Sequence, residues 1–103
     1  MDSLQVVVRL WIHTGRVAEF EAYERKAARV MRLHGGRLYK TVRIEASASP
    51  SSEDPFEVHI LEFPSREAFL AYRGDPDLLA LAPDRTVAVA KTEVLLGTCG
   101  PQY

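Results

Sequence analysis

Asparagine is absent from this 103-residue chain, and cysteine and tryptophan occur once each. The lone Cys99, in the tail segment Gly97-Thr98-Cys99-Gly100-Pro101, excludes an intramolecular disulfide and a paired-thiolate metal site, and it reads as an incidental tail residue. The three histidines, His13, His34 and His59, lack the close spacing of a zinc site, so no metal is expected. An excess of charge of one sign is missing too. The 13 basic and 14 acidic side chains give a formal charge of -1 and no broad field to draw in a phosphate backbone or an anionic lipid surface. Neither a nucleic-acid nor a membrane partner is expected. The longest apolar runs, around Val6 to Val8 and Leu10 to Ile12, fall far short of the ~20 residues a membrane helix needs. No charged segment followed by an apolar stretch and cleavage site opens the chain, which sets a cytoplasmic location as the expectation. Gly35-Gly36 follows a helix instead of opening one, so no phosphate-cradling loop is present, and no cofactor is expected.

Apolar residues make up 47% of the chain and charged residues 26%, enough to build the core of one domain spanning residues 1–103. Leu4 to Ile12 alternates in and out over its whole length, which predicts strand one. Thr14-Gly15 then offers a helix start. Val17, Phe20, Tyr23, Ala27, Val30, Met31 and His34 recur at three- and four-residue spacing until Gly35-Gly36 stops the helix. Arg37 to Ile44, rich in β-branched and aromatic residues, is strand two, and Glu45 to Pro55 is a long polar loop. Phe56 to Phe63 is strand three. Pro64-Ser65 caps a second helix over Arg66 to Arg73, Asp75-Pro76 begins a short turn through Leu78, Leu79 and Leu81 that stops before Pro83, and Val87 to Leu96 is strand four.

The order βαββαβ predicts an α+β, ferredoxin-like fold with an antiparallel sheet in the order 4-1-3-2 and both helices on one face. The other face is left bare. Whichever parity is taken, that face holds groups such as Val7 with Trp11, and Phe56, Val58 and Ile60 or Leu61 and Phe63. A soluble monomer rarely exposes so large an apolar patch. A second copy packed on the sheet is the simplest cover, so a homodimer through the sheet face is expected.

Several functions hosted by this topology lack their residues here. Copper carriage needs paired cysteines. RNA-recognition domains carry an aromatic, glycine-containing stretch on strand three, where this chain reads FEVHILEF. Acylphosphatase chemistry relies on an asparagine that no position supplies.

The segments Phe20-Glu21-Ala22-Tyr23-Glu24, His34-Gly35-Gly36-Arg37 and Leu61-Glu62-Phe63-Pro64-Ser65, followed by Ala68, Tyr72, Asp75-Pro76 and Arg85, resemble the domain-of-unknown-function 1330 family in order and spacing. The resemblance spans nearly the whole chain. It implies a dimeric α+β barrel with two sheets face to face, in a superfamily that also houses small monooxygenases, isomerases and haem-degrading enzymes. It implies no particular activity, and the Asn-Trp-His set of the haem-degrading branch cannot be assembled without asparagine.

Chain direction gathers candidate chemistry at one end of the domain: His13 after strand one, Tyr23 early in helix one, Arg43 closing strand two, Glu57 and His59 early in strand three, Tyr72 late in helix two, and Arg85 before strand four. Glu62, His34 and Arg37 gather at the opposite end. His13 or His59 is the candidate acid/base group, Arg85 the anchor for a carboxylate, Tyr23 and Tyr72 orient an oxygen, and Trp11 stacks on a flat ligand or on a second subunit. Each has a plain structural alternative: a surface histidine at His13, a satisfied core or interface histidine at His59, core phenols with wet hydroxyls at Tyr23 and Tyr72, and a turn-capping arginine at Arg85. Glu62, a carboxylate within an apolar strand, is expected to form an interfacial ion pair. Two uses of one pocket follow. One is a cofactor-independent small-molecule enzyme of monooxygenase or isomerase type, and the other is a non-catalytic small-molecule-binding or interaction dimer.

Overall fold

A computed structural model of the chain describes residues 3–49 and 53–103. Its elements run β1 (Leu4–Ile12), α1 (Val17–Leu33), β2 (Arg37–Arg43), β3 (Glu57–Phe63), α2 (Arg66–Arg73), α3 (Pro76–Leu79), α4 (Ala82–Ala88) and β4 (Val89–Gly97). The sheet is antiparallel with the order β2-β3-β1-β4, the expected 4-1-3-2 arrangement of a ferredoxin-like fold. The centre of the predicted 45–55 loop, residues 50–52, lies outside the described residues.

Side-chain alternation fixes which residues face the helices. Opposite pairs Leu4 with Phe63, Val6 with Leu61, Val8 with His59 and Leu10 with Glu57 share the helix-covered face, and Gln5 with Glu62, Val7 with Ile60 and Arg9 with Val58 share the bare one. On the covered face the core forms two clusters. Leu4, Val6, Met31, Leu61, Phe63 and Phe69 pack under α1 and α2, while Leu10, Phe20, Tyr23, Ala27, Ala88 and Val89 pack beneath α1 and α4. Phe63 is wholly buried and meets Phe69 edge-on at 5.3 Å between ring centroids.

Local chemistry explains the boundaries. α1 buries Phe20, Tyr23, Ala27, Val30 and Met31 and ends where Gly35 takes a φ of 75°, a left-handed conformation that costs glycine little. Its first turn departs from expectation. The flanking residue is Arg16, with no side-chain cap, and Thr14 makes no capping bond. Ser65 does cap α2, its hydroxyl accepting from the Ala68 amide at 3.1 Å.

The largest difference lies before β4. Pro83 does not end the preceding turn, because it sits in the first turn of a further helix, α4, where an amide proton is not required. Strand four therefore starts at Val89 instead of Val87. That helix carries Arg85 onto the covered face, and a bond from Lys26 Nζ to Asp84 Oδ2 at 2.9 Å ties it to α1.

Candidate functional site

Between α1, the covered face of the sheet and the α2–α4 segment lies a cleft of about 770 Å³. This is within the roughly 300–1,000 Å³ of small-molecule sites. Val8, Leu10, Phe20, Ala27, Met31 and Leu61 supply apolar wall, and a short arc of polar groups interrupts it. The arc is anchored on β3. Because Glu57 and His59 share the parity of Leu61 and Phe63, the strand delivers a carboxylate and an imidazole into the core side of the sheet, where they are 4% and 6% exposed.

Burial of two such groups demands partners. His59 Nε2 lies 2.5 Å from Glu57 Oε2, and Glu57 Oε1 accepts from Arg43 Nε at 2.9 Å and Nη2 at 2.8 Å. Both oxygens of Glu57 are therefore engaged. On the other side of the imidazole, Nδ1 faces Glu24 Oε2 at 3.8 Å, beyond hydrogen-bond reach. The result is an Arg43–Glu57–His59 chain pointing at the carboxyl of Glu24.

Burial raises the pKa of Glu24 above the ordinary carboxylate value, and the negative charge of Glu57 adds to that; the His59 and Arg85 charges oppose it. Tyr23 is raised first by burial and then by Glu24, with Arg85 opposing. Tyr72 is pushed well above its ordinary value by burial, with Tyr23 and Glu24 adding to the shift. Both phenols stay neutral and able to donate at physiological pH. Arg85 enters from α4, where its Nη2 donates to Thr92 Oγ1 at 2.8 Å.

The cleft thus brings together four of the six residues singled out from the sequence: Tyr23, His59, Tyr72 and Arg85. The other two stand elsewhere. Trp11 follows the inward-facing Leu10, so alternation turns it to the bare face of the sheet, opposite Lys91, whose Nζ lies 4.5 Å from the ring centroid. His13 is exposed beyond the end of β1, its amide donating to the Ala88 carbonyl at 2.9 Å and its carbonyl accepting from the Arg16 amide at 3.2 Å, and it lines a separate shallow depression with Trp11, Asp54 and Phe56. Chain direction set the end for Tyr23, His59 and Arg85 but misplaced Tyr72, whose ring lies 5.5 Å from Phe63 and 6.4 Å from His34 toward the far end of the cleft, and it could not tell which face His13 and Trp11 would address.

At the far end, Glu62 lies on the bare face and bonds within its own chain to Arg37 Nε at 2.9 Å and to Gln5 Nε2 at 2.8 Å. His34 Nε2 lies 2.7 Å from Asp75 Oδ2. Among the described residues, no group of three or more His, Cys, Asp or Glu side chains is placed to hold a metal ion.

Glu24 is the member of the cluster to which sequence reasoning gave no role. The signal was present: Phe20, Glu24, Ala27 and Met31 follow the i, i+4, i+7, i+11 line of the buried helix stripe, and a carboxylate on that line is out of place unless it is used or paired.

Residues 7–98 match the family described as a domain of unknown function (DUF1330), and the chain belongs to that family. No match was found among curated proteins. Among solved structures, the fold is similar to that of RPA0582, a protein of unknown function from Rhodopseudomonas palustris, with a TM-score of 0.84 and 20% identity over 98% of this chain and 85% of that one. A dabb family protein with a ferredoxin-like fold from Mesorhizobium loti aligns with a TM-score of 0.69 and 20% identity, covering 98% of this chain and all of that one. SnoaB, a cofactor-independent oxygenase from Streptomyces nogalater, aligns with a TM-score of 0.73 and 20% identity over 99% of this chain and 97% of that one. At these identities the likeness is one of fold.

Proposed function

We propose that this protein is a cofactor-independent small-molecule enzyme that moves a proton on a flat carbon acid or phenol carrying an anionic group, bound in the cleft between helices and sheet. The observation that carries this reading is the buried Glu57–His59 pair, backed by the half-exposed Arg43 and opening onto an apolar cleft that also holds Arg85 and two neutral phenols. A purely structural ion pair has no need of a cavity beside it.

Arg85 binds the carboxylate or oxyanion of the substrate. The acid/base cluster around His59 takes a proton from the acidic C–H or O–H. The C–H electron pair moves onto the adjacent carbonyl oxygen, where Tyr23 or Tyr72 donates a hydrogen bond to the developing enolate. Return of the proton to carbon or oxygen completes an isomerisation. SnoaB, of the same fold, is described as a cofactor-independent oxygenase, which is compatible with chemistry carried by side chains alone.

The working unit in this reading is a homodimer formed through the bare sheet face. That face carries Val7, Val58 and Ile60 at its centre and Val42 and Leu95 at its flanks, the last two 42% and 49% exposed.

Phenylpyruvate, an aromatic 2-oxo acid with an enolisable methylene, has the chemistry the cleft selects. In deuterated water the protein is expected to accelerate loss of the benzylic proton signal over a protein-free control. Binding without acceleration would leave a small-molecule-binding protein. Neither binding nor acceleration would remove the cleft from consideration.

A further inference from the structure

We propose that Glu24 is the catalytic residue that exchanges the proton with the substrate, and that His59, Glu57 and Arg43 are positioning residues behind it. This inference rests on the enzymatic reading above and assigns its proton-transfer step to one carboxylate.

The assignment follows from which lone pairs are free. Glu57 is spent, since one oxygen takes two bonds from Arg43 and the other faces His59 Nε2. A carboxylate there fixes the imidazole with its Nε2 proton toward Glu57, as an acceptor-only partner requires. His59 is then a poor first acceptor, because its side chain is only 7% exposed and its remaining nitrogen points at Glu24. Glu21 is drawn off to the rim by Arg43 Nη2 at 3.1 Å. Glu24 alone combines access with freedom: its side chain is 28% exposed, it lines the cleft, and it makes no side-chain hydrogen bond among the described residues.

The surroundings suit a carboxylate that must both accept and return a proton. Groups facing it come from every wall: Tyr23 on its own helix, Glu57 and His59 from β3, Arg85 from α4 and Tyr72 from α2. Burial and the Glu57 charge favour the protonated acid, while His59 and Arg85 favour the anion. A carboxyl balanced in this way gains basicity relative to a surface glutamate, which is what proton abstraction from carbon requires. In the step itself the substrate C–H bond breaks, an O–H bond forms on Glu24, and the electron pair settles on the substrate oxygen beside Arg85 or a phenol. Reversal of the same transfer delivers a solvent-exchanged proton, so no oxidant or reductant enters.

The test is benzylic proton exchange of phenylpyruvate in deuterated water with Glu24→Gln, Glu24→Asp and His59→Gln proteins, each checked for native folding by circular dichroism. Glu24→Gln, nearly isosteric, is expected to lose at least about a hundredfold in exchange rate with phenylpyruvate affinity little changed, the pattern of a lost transition-state role. Glu24→Asp restores part of the rate. His59→Gln keeps measurable exchange, but its acid limb moves to higher pH, since the positive neighbour that favours the Glu24 anion is gone. Wild-type exchange that survives Glu24→Gln would overturn the assignment and leave the enzyme reading standing. Loss of exchange in His59→Gln while Glu24→Gln retains it would transfer the role to His59. Absence of exchange in the wild type would remove both.

Discussion

Replacing Arg43 by methionine probes the buried chain at its outer link. The native guanidinium gives Glu57 two charge-assisted hydrogen bonds, at 2.8 and 2.9 Å, while the Glu57 side chain is only 6% exposed. Stripping one partner from a fully buried ion pair costs about 3–5 kcal/mol. Arg43 itself is 46% exposed, so water reaches the vacated oxygen and the cost falls toward the ~1.5–3 kcal/mol of hydrogen bonds to charged groups. Methionine retains apolar stem against Phe56, over whose ring the guanidinium now sits at 4.7 Å, so packing loss is small. The expected destabilisation is about 2 kcal/mol, or on the order of 10 °C in Tm for a chain of this size. Urea unfolding at neutral pH and fixed protein concentration measures it, the latter because any association of subunits makes apparent stability concentration-dependent. Arg43→Lys, which keeps the charge but not the two-pronged contact, should fall between. The Arg43→Met, Glu57→Gln double variant should lose less than the sum of the two singles. A loss below about 0.5 kcal/mol for Arg43→Met, the size of an ordinary surface change, would refute the claim that Glu57 depends on this partner.

Three further outcomes are expected. A Cβ at Gly36 would stand 2.5 Å from Phe63 Cε1 and 2.6 Å from Met31 Cγ, so Gly36→Ala should cost about 1–3 kcal/mol in urea unfolding, whereas Gly97→Ala, with open space around it, removes no packing. The hydrogen bond from His34, followed by the Asp77 amide, holds the Asp75 pKa below its ordinary value. That contribution is present above the unfolded carboxylate value of about 3.9 and is lost as pH falls through the lower folded value, so Asp75→Asn should flatten the acid limb of the stability curve. If Asp75→Asn loses stability equally at all pH values, the pairing does not act through charge. The single Trp11 should report association: dilution that lowers the mass by light scattering from dimer to monomer should red-shift its emission, and a monomer mass at micromolar concentration would remove the dimer.

Much of the fold was legible because its signals are periodic. The unbroken alternation of Leu4 to Ile12 and the helical stripe from Phe20 to Met31 each permit one reading, and the Gly35-Gly36 stop separates them from β2. Pro83 misled because proline reads as a terminator in linear sequence, while the structure uses it in the first turn of α4. The cleft was legible in part. Topology alone brought Tyr23, His59 and Arg85 to a common region, but it misplaced Tyr72, and His13 and Trp11 required knowing the face as well as the end. Glu24 went without a role because one glutamate on a helix that also carries Glu19 and Glu21 does not stand out by residue type. Its register with Phe20 and Ala27 sets it apart. Glu62, expected to meet a second subunit, finds Arg37 and Gln5 in its own chain.

The central claim is that the cleft between α1 and the sheet binds the ligand. It is tested most directly by titrating isotope-labelled protein with phenylpyruvate and following backbone and side-chain resonances by NMR. Shifts concentrated at Tyr23, Glu24, His59, Tyr72 and Arg85, with Trp11 and His13 unmoved, are the predicted result. Shifts centred on Trp11 and His13, or none at saturating ligand, would contradict the account.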